Sequence, residues 1–477
     1  MQQRGQLRQT ASVPDVPTGS APPETDDIPA RIDRIPVVPF HYRLAGTLGV
    51  GTFFDGFDST SIAVILTVVI AYFDISTAEA GILVSAGYLG QFLGALIIGA
   101  LADRFGRRPA FILSLVTFGV FSAVCAAAWS PTSLGLLRAV QGLGLGAEVP
   151  VAATLINEYL GARNRGRVAV AYQSTFNWGL LAAPIVGIVA LRSFGEDAGW
   201  RVLLAVGALP VIVAGYAWLR LPESARWLAQ RGRRAEAEAY VARMEQQARA
   251  RGVELAPPRA APPAARGSLR LGELLAPAYR RRTLMLAAIW FLTFFVGYGY
   301  AVWMPTLYVR VGGLRTTQAL ALTVLVGALQ LAMVYVTAFL ADRVGRKPLL
   351  TWSFVIMTGG ALVGFVGVGL MGVHRWPMLL AAAVVFAVGA TAPTSTLYLY
   401  TAELYPTRMR AWATSACSSI NRLASILSPL LVGALLGTSL GAGSVFLSFV
   451  IASAVALVVV LVAGIETRRR TLEEISR

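Results

Sequence analysis

The sequence predicts an all-α polytopic membrane protein with twelve transmembrane helices in two six-helix pseudo-repeats. Three observations predict it. Of the 477 residues, 56% are hydrophobic and 14% charged, with a mean hydropathy of +0.63, whereas an ordinary soluble domain carries about 25% charge. About twelve apolar runs of roughly 20 residues each suffice to cross a ~30 Å hydrocarbon core as helices. Three short signatures each occur twice, roughly 240 positions apart, which is the offset that two parallel repeats in one chain produce.

In chain order, residues 1–41 are polar and Pro-rich, with no apolar stretch of the kind a cleavable signal needs, and are expected to be a disordered tail. The first bundle, residues 42–221, holds spans at about 44–72, 80–101, 109–129, 133–160, 168–191 and 200–219. Residues 222–281 form a linker, with an amphipathic Ala/Glu/Arg stretch followed by Ala-Pro-Pro repeats from Ala256 to Ala265. The second bundle, residues 282–466, holds spans at about 283–309, 316–341, 349–371, 377–404, 414–436 and 444–465, and a short tail, 467–477, closes the chain.

A net charge of +16 and a pI near 10.5 do not point to nucleic acid, because the basic residues cluster in alternate short turns. Arg104, Arg107, Arg108, Arg163, Arg165, Arg167, Arg343, Arg346, Lys347, Arg408 and Arg410 share one side, while the other turns carry Asp74, Glu79, Glu196 and Asp197. By the positive-inside rule that side is cytoplasmic, as are both termini, with Arg192, Arg310, Arg315 and Arg375 as exceptions. The lone cysteine of each half, Cys125 and Cys417, falls inside a span, which argues against a structural disulfide, and the ligands for a metal site are too few. No phosphate loop, nucleophile elbow or metal-ligand cluster suggests an enzyme, a cofactor or a resident metal.

The duplicated signatures carry more. Gly99-Ala-Leu-Ala-Asp103-Arg104-Phe-Gly106-Arg107-Arg108 returns as Ala338-Phe-Leu-Ala-Asp342-Arg343-Val-Gly345-Arg346-Lys347. Glu158 stands before Arg163 and Arg165 as Glu403 stands before Arg408 and Arg410, and Pro222-Glu223-Ser224 is answered by Ile465-Glu466-Thr467. Asp-Arg-x-Gly-Arg-Arg between spans two and three, with its copy between spans eight and nine, resembles the signature of the major facilitator superfamily. The resemblance covers nearly the whole chain after the tail. It implies two bundles rocking about a central site, with Asp103, Arg104, Arg107, Arg108, Glu158, Arg165, Glu223, Asp342, Arg343, Arg346, Glu403, Arg410 and Glu466 as an ionic gate whose pairs form in the outward-open state. The bland alternative is that the arginines only set topology.

Charges at membrane depth are costly and mark pathways or proton relays. Asp55 and Asp58, three positions apart, project from one face of the first span. Glu148 lies in the fourth span ten positions after Arg138, and Arg422 in the eleventh. Buried carboxylates suit proton binding, since desolvation favours the neutral form, so Asp55, Asp58 and Glu148 are the candidate coupling residues; Arg138 is a possible structural partner for either aspartate. A guanidinium fork in a low-dielectric cavity matches a carboxylate bidentately, which makes Arg422 the candidate for an anionic substrate, unless an internal bridge to Glu148 or Asp58 occupies it. Asn421, Gln173, Asn177 and Gln330 are candidate hydrogen-bonders, and Trp178, Tyr298, Tyr300, Trp303, Tyr398 and Tyr400 candidate ring contacts.

Asp55-Gly56-Phe57-Asp58 resembles the Asp-Gly-Tyr-Asp of aromatic-acid:proton symporters. Gly142-Leu-Gly144-Leu-Gly146-Ala-Glu148-Val-Pro150 and Glu403-Leu-Tyr-Pro406-Thr-Arg408-Met-Arg410 resemble nicotinate-type and synaptic-vesicle-protein-2-like carriers. Asn421-Arg422-Leu423 parallels the Gly-Arg-Ile/Leu of both, with Asn in place of Gly. Together they imply a monomeric inner-membrane carrier that takes up a small aromatic carboxylate, hydroxybenzoate- or nicotinate-like, with protons. A sugar or polyol symporter is the rival, since Pro222-Glu223-Ser224-Ala-Arg226-Trp227 is similar to a sugar-porter motif, but the paired Gln of that group is missing from span seven. Proton-coupled efflux and a non-transporting nutrient receptor are the remaining alternatives.

Overall fold

The computed structural model describes residues 28–161, 165–258, 271–406 and 409–468; the expectations for the remainder of both tails, the Ala-Pro-Pro segment beyond 258, Arg163 and Arg408 lie outside these described residues. A short helix, α1 (Ile28–Asp33), precedes the first bundle, which comprises α2 (Pro39–Tyr72), α3 (Thr77–Phe105), α4 (Arg107–Ala126), α5 (Pro131–Tyr159), α6 (Arg165–Val206) and α7 (Pro210–Arg220). Two linker helices follow, α8 (Ala225–Gln230) and α9 (Arg234–Arg249). The second bundle comprises α10 (Pro277–Arg310), α11 (Thr316–Val344), α12 (Arg346–Gly364, extended by a π-turn to Leu370), α13 (Trp376–Glu403), α14 (Arg410–Leu436) and α15 (Gly441–Ala463).

Eleven helices are long and apolar enough to span, because one bent segment, Ala171–Arg220, counts once over its 50 residues. Inside it Gly195 adopts φ 75° and ψ 175°, a region open to glycine but not to residues with a Cβ. The helix therefore breaks there, and the chain returns as a separate span that reaches α7, which makes twelve crossings. Their outer faces expose leucine, isoleucine, valine and phenylalanine, such as Leu96, Ile97, Val189, Ile212 and Val462, as lipid contact requires.

Within the first half, α3 and α5 approach closely enough that added side chains would collide. A Cβ on Gly90 or Gly94 would strike the carbonyls of Ala139 or Leu143, and one on Gly142 or Gly146 would strike those of Gly87 or Gln91. Small residues at four-residue spacing are the usual route to close helix packing in lipid, where no hydrophobic force draws helices together. Gly144 faces the other way, onto Ser114 and Phe118 of α4, so the glycine run of span four is a packing device facing two neighbours. Gly56 of α2 and Gly179 of α6 play the same part against Phe176 and Phe53.

The two halves meet through α3 with α14, α6 with α11 and α2 with α10. The hydrogen bonds that join them include Thr67 to Thr306 at 3.0 Å, Ser85 to the carbonyl of Ile426 at 2.7 Å and Thr316 to Glu196 at 2.8 Å. These lie toward the ends remote from the Asp103 and Arg343 turns. α5 and α13 pack mainly inside their own halves.

Residues 28–41, which the sequence assigns to a disordered tail, are folded. Ile28, Ile32, Ile35 and Val38 are all buried, in one apolar cluster with Trp227, Leu228, Val241 and Met244 of α8 and α9. Arg31 and Arg34 both grip the Glu245 carboxylate, and Arg34 donates to the carbonyl of Ala256 at 2.7 Å. Apolar burial together with a satisfied carboxylate outweighs the entropy of ordering a short strap. α10 likewise begins at Pro277, inside the expected linker.

Candidate functional site

Asp55 and Asp58 are both buried on α2, one turn apart, but their surroundings differ. Asp58 Oδ1 accepts from Arg138 Nη1 and from Gln141 Nε2, each at 2.9 Å. The aspartate that pairs with Arg138 is thus Asp58, because it stands one turn further along α2, level with the start of α5. Asp55 makes no hydrogen bond among the described residues; Arg422, Asp58 and Glu148 are the charges near it. Glu148 is fully buried, and Asp55 is the charge that faces it. Among the described residues its carboxylate accepts from Thr52 alone, at 3.1 and 3.3 Å, and the Thr52 oxygen also stands 2.9 Å from the Tyr172 hydroxyl. One hydroxyl proton cannot serve both neighbours, so Glu148 has at most one donor. Gly51 makes room for it: a Cβ there would lie 2.7 Å from Oε1.

Arg422 is half-buried on α14 and forms no ion pair among the described residues, neither to Glu148 nor to Asp58. Its Nη1 donates to Gln91 Oε1 of α3 at 2.7 Å, across the boundary between the halves. Beside it, Asn421 is buried with Oδ1 unpartnered. Tyr88 faces both Arg138 and Arg422, and its ring meets Tyr298 edge-on at 5.1 Å. From Tyr298 the rings continue along α10 to Phe294 and Trp290, and Tyr398 meets Trp290 edge-on at 4.7 Å. An aromatic wall thus starts beside the Arg422 guanidinium.

Gln173, Asn177 and Trp178 lie on α6 and Gln330 on α11. Leu181, one turn on from Asn177 and Trp178, packs against Gly327, which sets both on the α11-facing side of the helix. Trp178 is 51% exposed. None of these four side chains makes a hydrogen bond among the described residues. Three ring candidates are instead buried in the second half. Tyr300 stacks on Phe386 at 4.3 Å, Trp303 donates to the carbonyl of Pro429 at 3.3 Å, and Tyr400 donates to that of Ile465 at 2.8 Å. These three are packing residues, since large rings bury most area inside a bundle. Thr52, Gln91, Gln141, Tyr88 and Tyr172 also belong to this site and carry no charge to mark them in the sequence; for Gln91, a lone amide between Gly90 and Gly94 is the available signal.

The basic turns repeat their contacts in both halves. Arg107 lies 3.4 Å from Glu158 and 3.2 Å from the exposed Asp103, and donates to the carbonyl of Ala102 at 3.1 Å. Arg346 donates to Glu403 at 2.9 Å and to the carbonyl of Ala341 at 3.0 Å. Glu223 accepts from the backbone N–H of Arg107 and Arg108, and Glu466 from those of Arg346 and Lys347. Each carboxylate caps the first turn of the following helix, α4 or α12, where orphan N–H groups and the helix dipole favour negative charge. Burial pushes the Glu223 carboxyl above the usual glutamate range, against the pull of those N–H groups. Arg104 and Arg343 lie over Phe105 and Phe339. Arg108 donates to the carbonyl of Trp218, and Arg410 to that of Tyr405, so neither meets an acidic partner among the described residues. The side chains of Arg165 and Asp342 lie outside the described residues. All these pairs stay inside one half.

Comparison with known proteins places this arrangement. A family model described as sugar (and other) transporter matches residues 45–477. The niacin transporter NiaP of Acinetobacter baylyi is 32% identical over 94% of this chain and 99% of its own length. The 4-hydroxybenzoate transporter PcaK of Pseudomonas aeruginosa is 29% identical over 92% and 96%. Among solved structures, a D-xylose-proton symporter superposes with a TM-score of 0.71 at 20% identity, over 91% of this chain and all of that one, a likeness of fold.

Proposed function

The chain belongs to the sugar (and other) transporter family of the major facilitator superfamily, a family of carriers and not of enzymes, and from that premise we propose that it couples inward proton flow to uptake of a small aromatic carboxylate. The observation that carries this reading is the charge inventory at mid-span: three carboxylates, Asp55, Asp58 and Glu148, against two guanidiniums, Arg138 and Arg422. Net charge at membrane depth is costly, so the empty site is neutral with one carboxylate protonated. An incoming anion adds one negative charge, and neutrality then calls for one more proton. Substrate and proton thus enter together.

Arg422 presents its fork to the substrate carboxylate, and the ring wall from Tyr298 takes the aromatic face, with Asn421, Gln173, Asn177, Trp178, Gln330 and Tyr398 around it. Asp58 stays ionised against Arg138, while Asp55 and Glu148, which no guanidinium bonds, change protonation. The relatives named for niacin and 4-hydroxybenzoate support an aromatic acid as the class. On this reading the basic turns face the cytoplasm with both termini, the protein works as a monomer in the inner membrane, and the halves, joined at the ends remote from those turns, are parted on the cytoplasmic side. The paired carboxylates and arginines of those turns brace each bundle and regroup when the cytoplasmic side closes.

The test is uptake of radiolabelled nicotinate, 4-hydroxybenzoate and glucose into proteoliposomes, with and without an inward proton gradient. Gradient-driven accumulation of either acid is the expected result, and movement of glucose alone overturns it.

A further inference from the structure

Arg422 and Gln91 connect the two halves near the middle of the membrane, and the connection is unequal. The guanidinium donates from Nη1 to the amide oxygen of Gln91 at 2.7 Å. Gln91 is 4% exposed, and its backbone is clamped to α5, where a Cβ on Gly142 or Gly146 would collide with the Gln91 N–H or carbonyl. The amide is therefore rigidly part of the first half. Arg422 rides on α14 in the second half and forms no ion pair among the described residues. A permanently charged fork is thus held by one neutral acceptor, and a neutral acceptor is the weaker partner: a carboxylate brings the opposite charge and can take two parallel N–H donors of the fork at once.

We propose that Gln91 is a placeholder for the substrate carboxylate. Between transport events its amide oxygen holds Arg422; an entering carboxylate takes the fork bidentately and displaces the amide. Displacement also cuts one hydrogen bond between α3 and α14, leaving that from Ser85 to the carbonyl of Ile426, so binding itself loosens the joint that the halves must move across. Tyr88, one turn before Gln91, touches Tyr298 of the other half at 5.1 Å, so an aromatic ring entering beside Arg422 parts a second contact at the same level. This rests on the reading of Arg422 as the carboxylate site and adds a residue that positions Arg422 without being the main ligand.

The test is equilibrium binding of nicotinate and of 4-hydroxybenzoate to purified full-length protein, with pulsed-EPR distances between spin labels at Phe105 and Val344, the exposed ends of α3 and α11. Gln91→Ala removes the competitor and is expected to bind about tenfold more tightly than wild type, with an unliganded distance distribution that already matches the liganded wild type. Gln91→Glu supplies a resident carboxylate and is expected to bind at least tenfold more weakly. Opposite signs from one position are not what a merely structural glutamine gives. If Arg422→Ala loses binding while both Gln91 variants bind as wild type does, or both weaken it, the placeholder is overturned and the Arg422 site stands. Undiminished binding by Arg422→Ala overturns both.

Discussion

Asp58 and Arg138 form an ion pair at 2.9 Å with side chains only 1% and 5% exposed. Burying two charges is compensated only while both are present, and removing one partner of such a pair costs about 3–5 kcal/mol. Asp58→Asn is therefore expected to melt well below wild type and to lose accumulation. The double variant Asp58→Asn/Arg138→Gln should recover most of the stability without recovering transport. Thermal unfolding of the two proteins, followed by uptake, checks it: equal melting of wild type and Asp58→Asn would remove the pair from the account.

Asp55 makes the opposite case. It has no hydrogen bond among the described residues to lose, so Asp55→Asn should fold and melt like wild type. Its effect falls on coupling: Glu148 is left as the one group to take the proton that accompanies the substrate, so concentrative uptake should fall while exchange of labelled for unlabelled substrate continues. Counterflow and gradient-driven uptake measured side by side separate the two. Loss of both activities together would mean that Asp55 touches substrate and does not carry the proton.

Most of the fold was legible in the sequence, because a bilayer punishes any spanning backbone that is not a helix, and apolar runs of sufficient length announce themselves. The strap at Ile28–Val38 has an apolar residue four, seven and ten positions after Ile28, at Ile32, Ile35 and Val38, the spacing of a helical stripe, but a polar, Pro-rich context hides it. In the site, the charged residues stood out because they are expensive at depth, yet which aspartate met Arg138 depended on helix register between α2 and α5, which no local pattern encodes. Thr52, Gln141 and Tyr172 are neutral, cost little to bury when bonded, and so leave no mark, while Gln91 leaves only its place between two glycines.

Arg422→Lys keeps the charge and loses the fork. A hydrogen bond to a charged group contributes about 1.5–3 kcal/mol, and a lysine offers a point charge in place of two parallel donors. The expected result is an apparent KM at least tenfold higher with a smaller change in the maximal rate, read from initial uptake at varied substrate concentration. An unchanged KM would leave the substrate carboxylate without its proposed partner.

Gly106 and Gly345 occupy equivalent turns at φ +112° and +101°, and a Cβ on either would meet the capping carboxylate, Glu223 or Glu466. Residues with a Cβ in this region cost about 1–3 kcal/mol, before the displaced cap is counted. Gly106→Ala and Gly345→Ala should each lower the melting temperature, and each should lose less when its cap is already gone, in Glu223→Ala or Glu466→Ala backgrounds. Additive losses in the double variants would show that backbone strain alone, and not the cap, is what the glycine protects.

The strap gives a pH dependence of definite sign. Burial alone would raise the Glu245 carboxyl, but hydrogen bonds from Arg31 and Arg34 outweigh it and hold the group below the usual glutamate range. A depressed folded value means that the ionised form stabilises the fold above the unfolded pKa, about 4.3, and that this contribution disappears as the pH falls through the folded value. Glu245→Gln should therefore lose about 2 kcal/mol at pH 7, with residues 28–38 exchanging their amide protons faster. The difference in melting temperature between wild type and Glu245→Gln should hold steady from pH 8 to about 5 and shrink below about 4. A difference that widens on acidification would reverse the sign, and would mean that the two arginines do not control the carboxylate they grip.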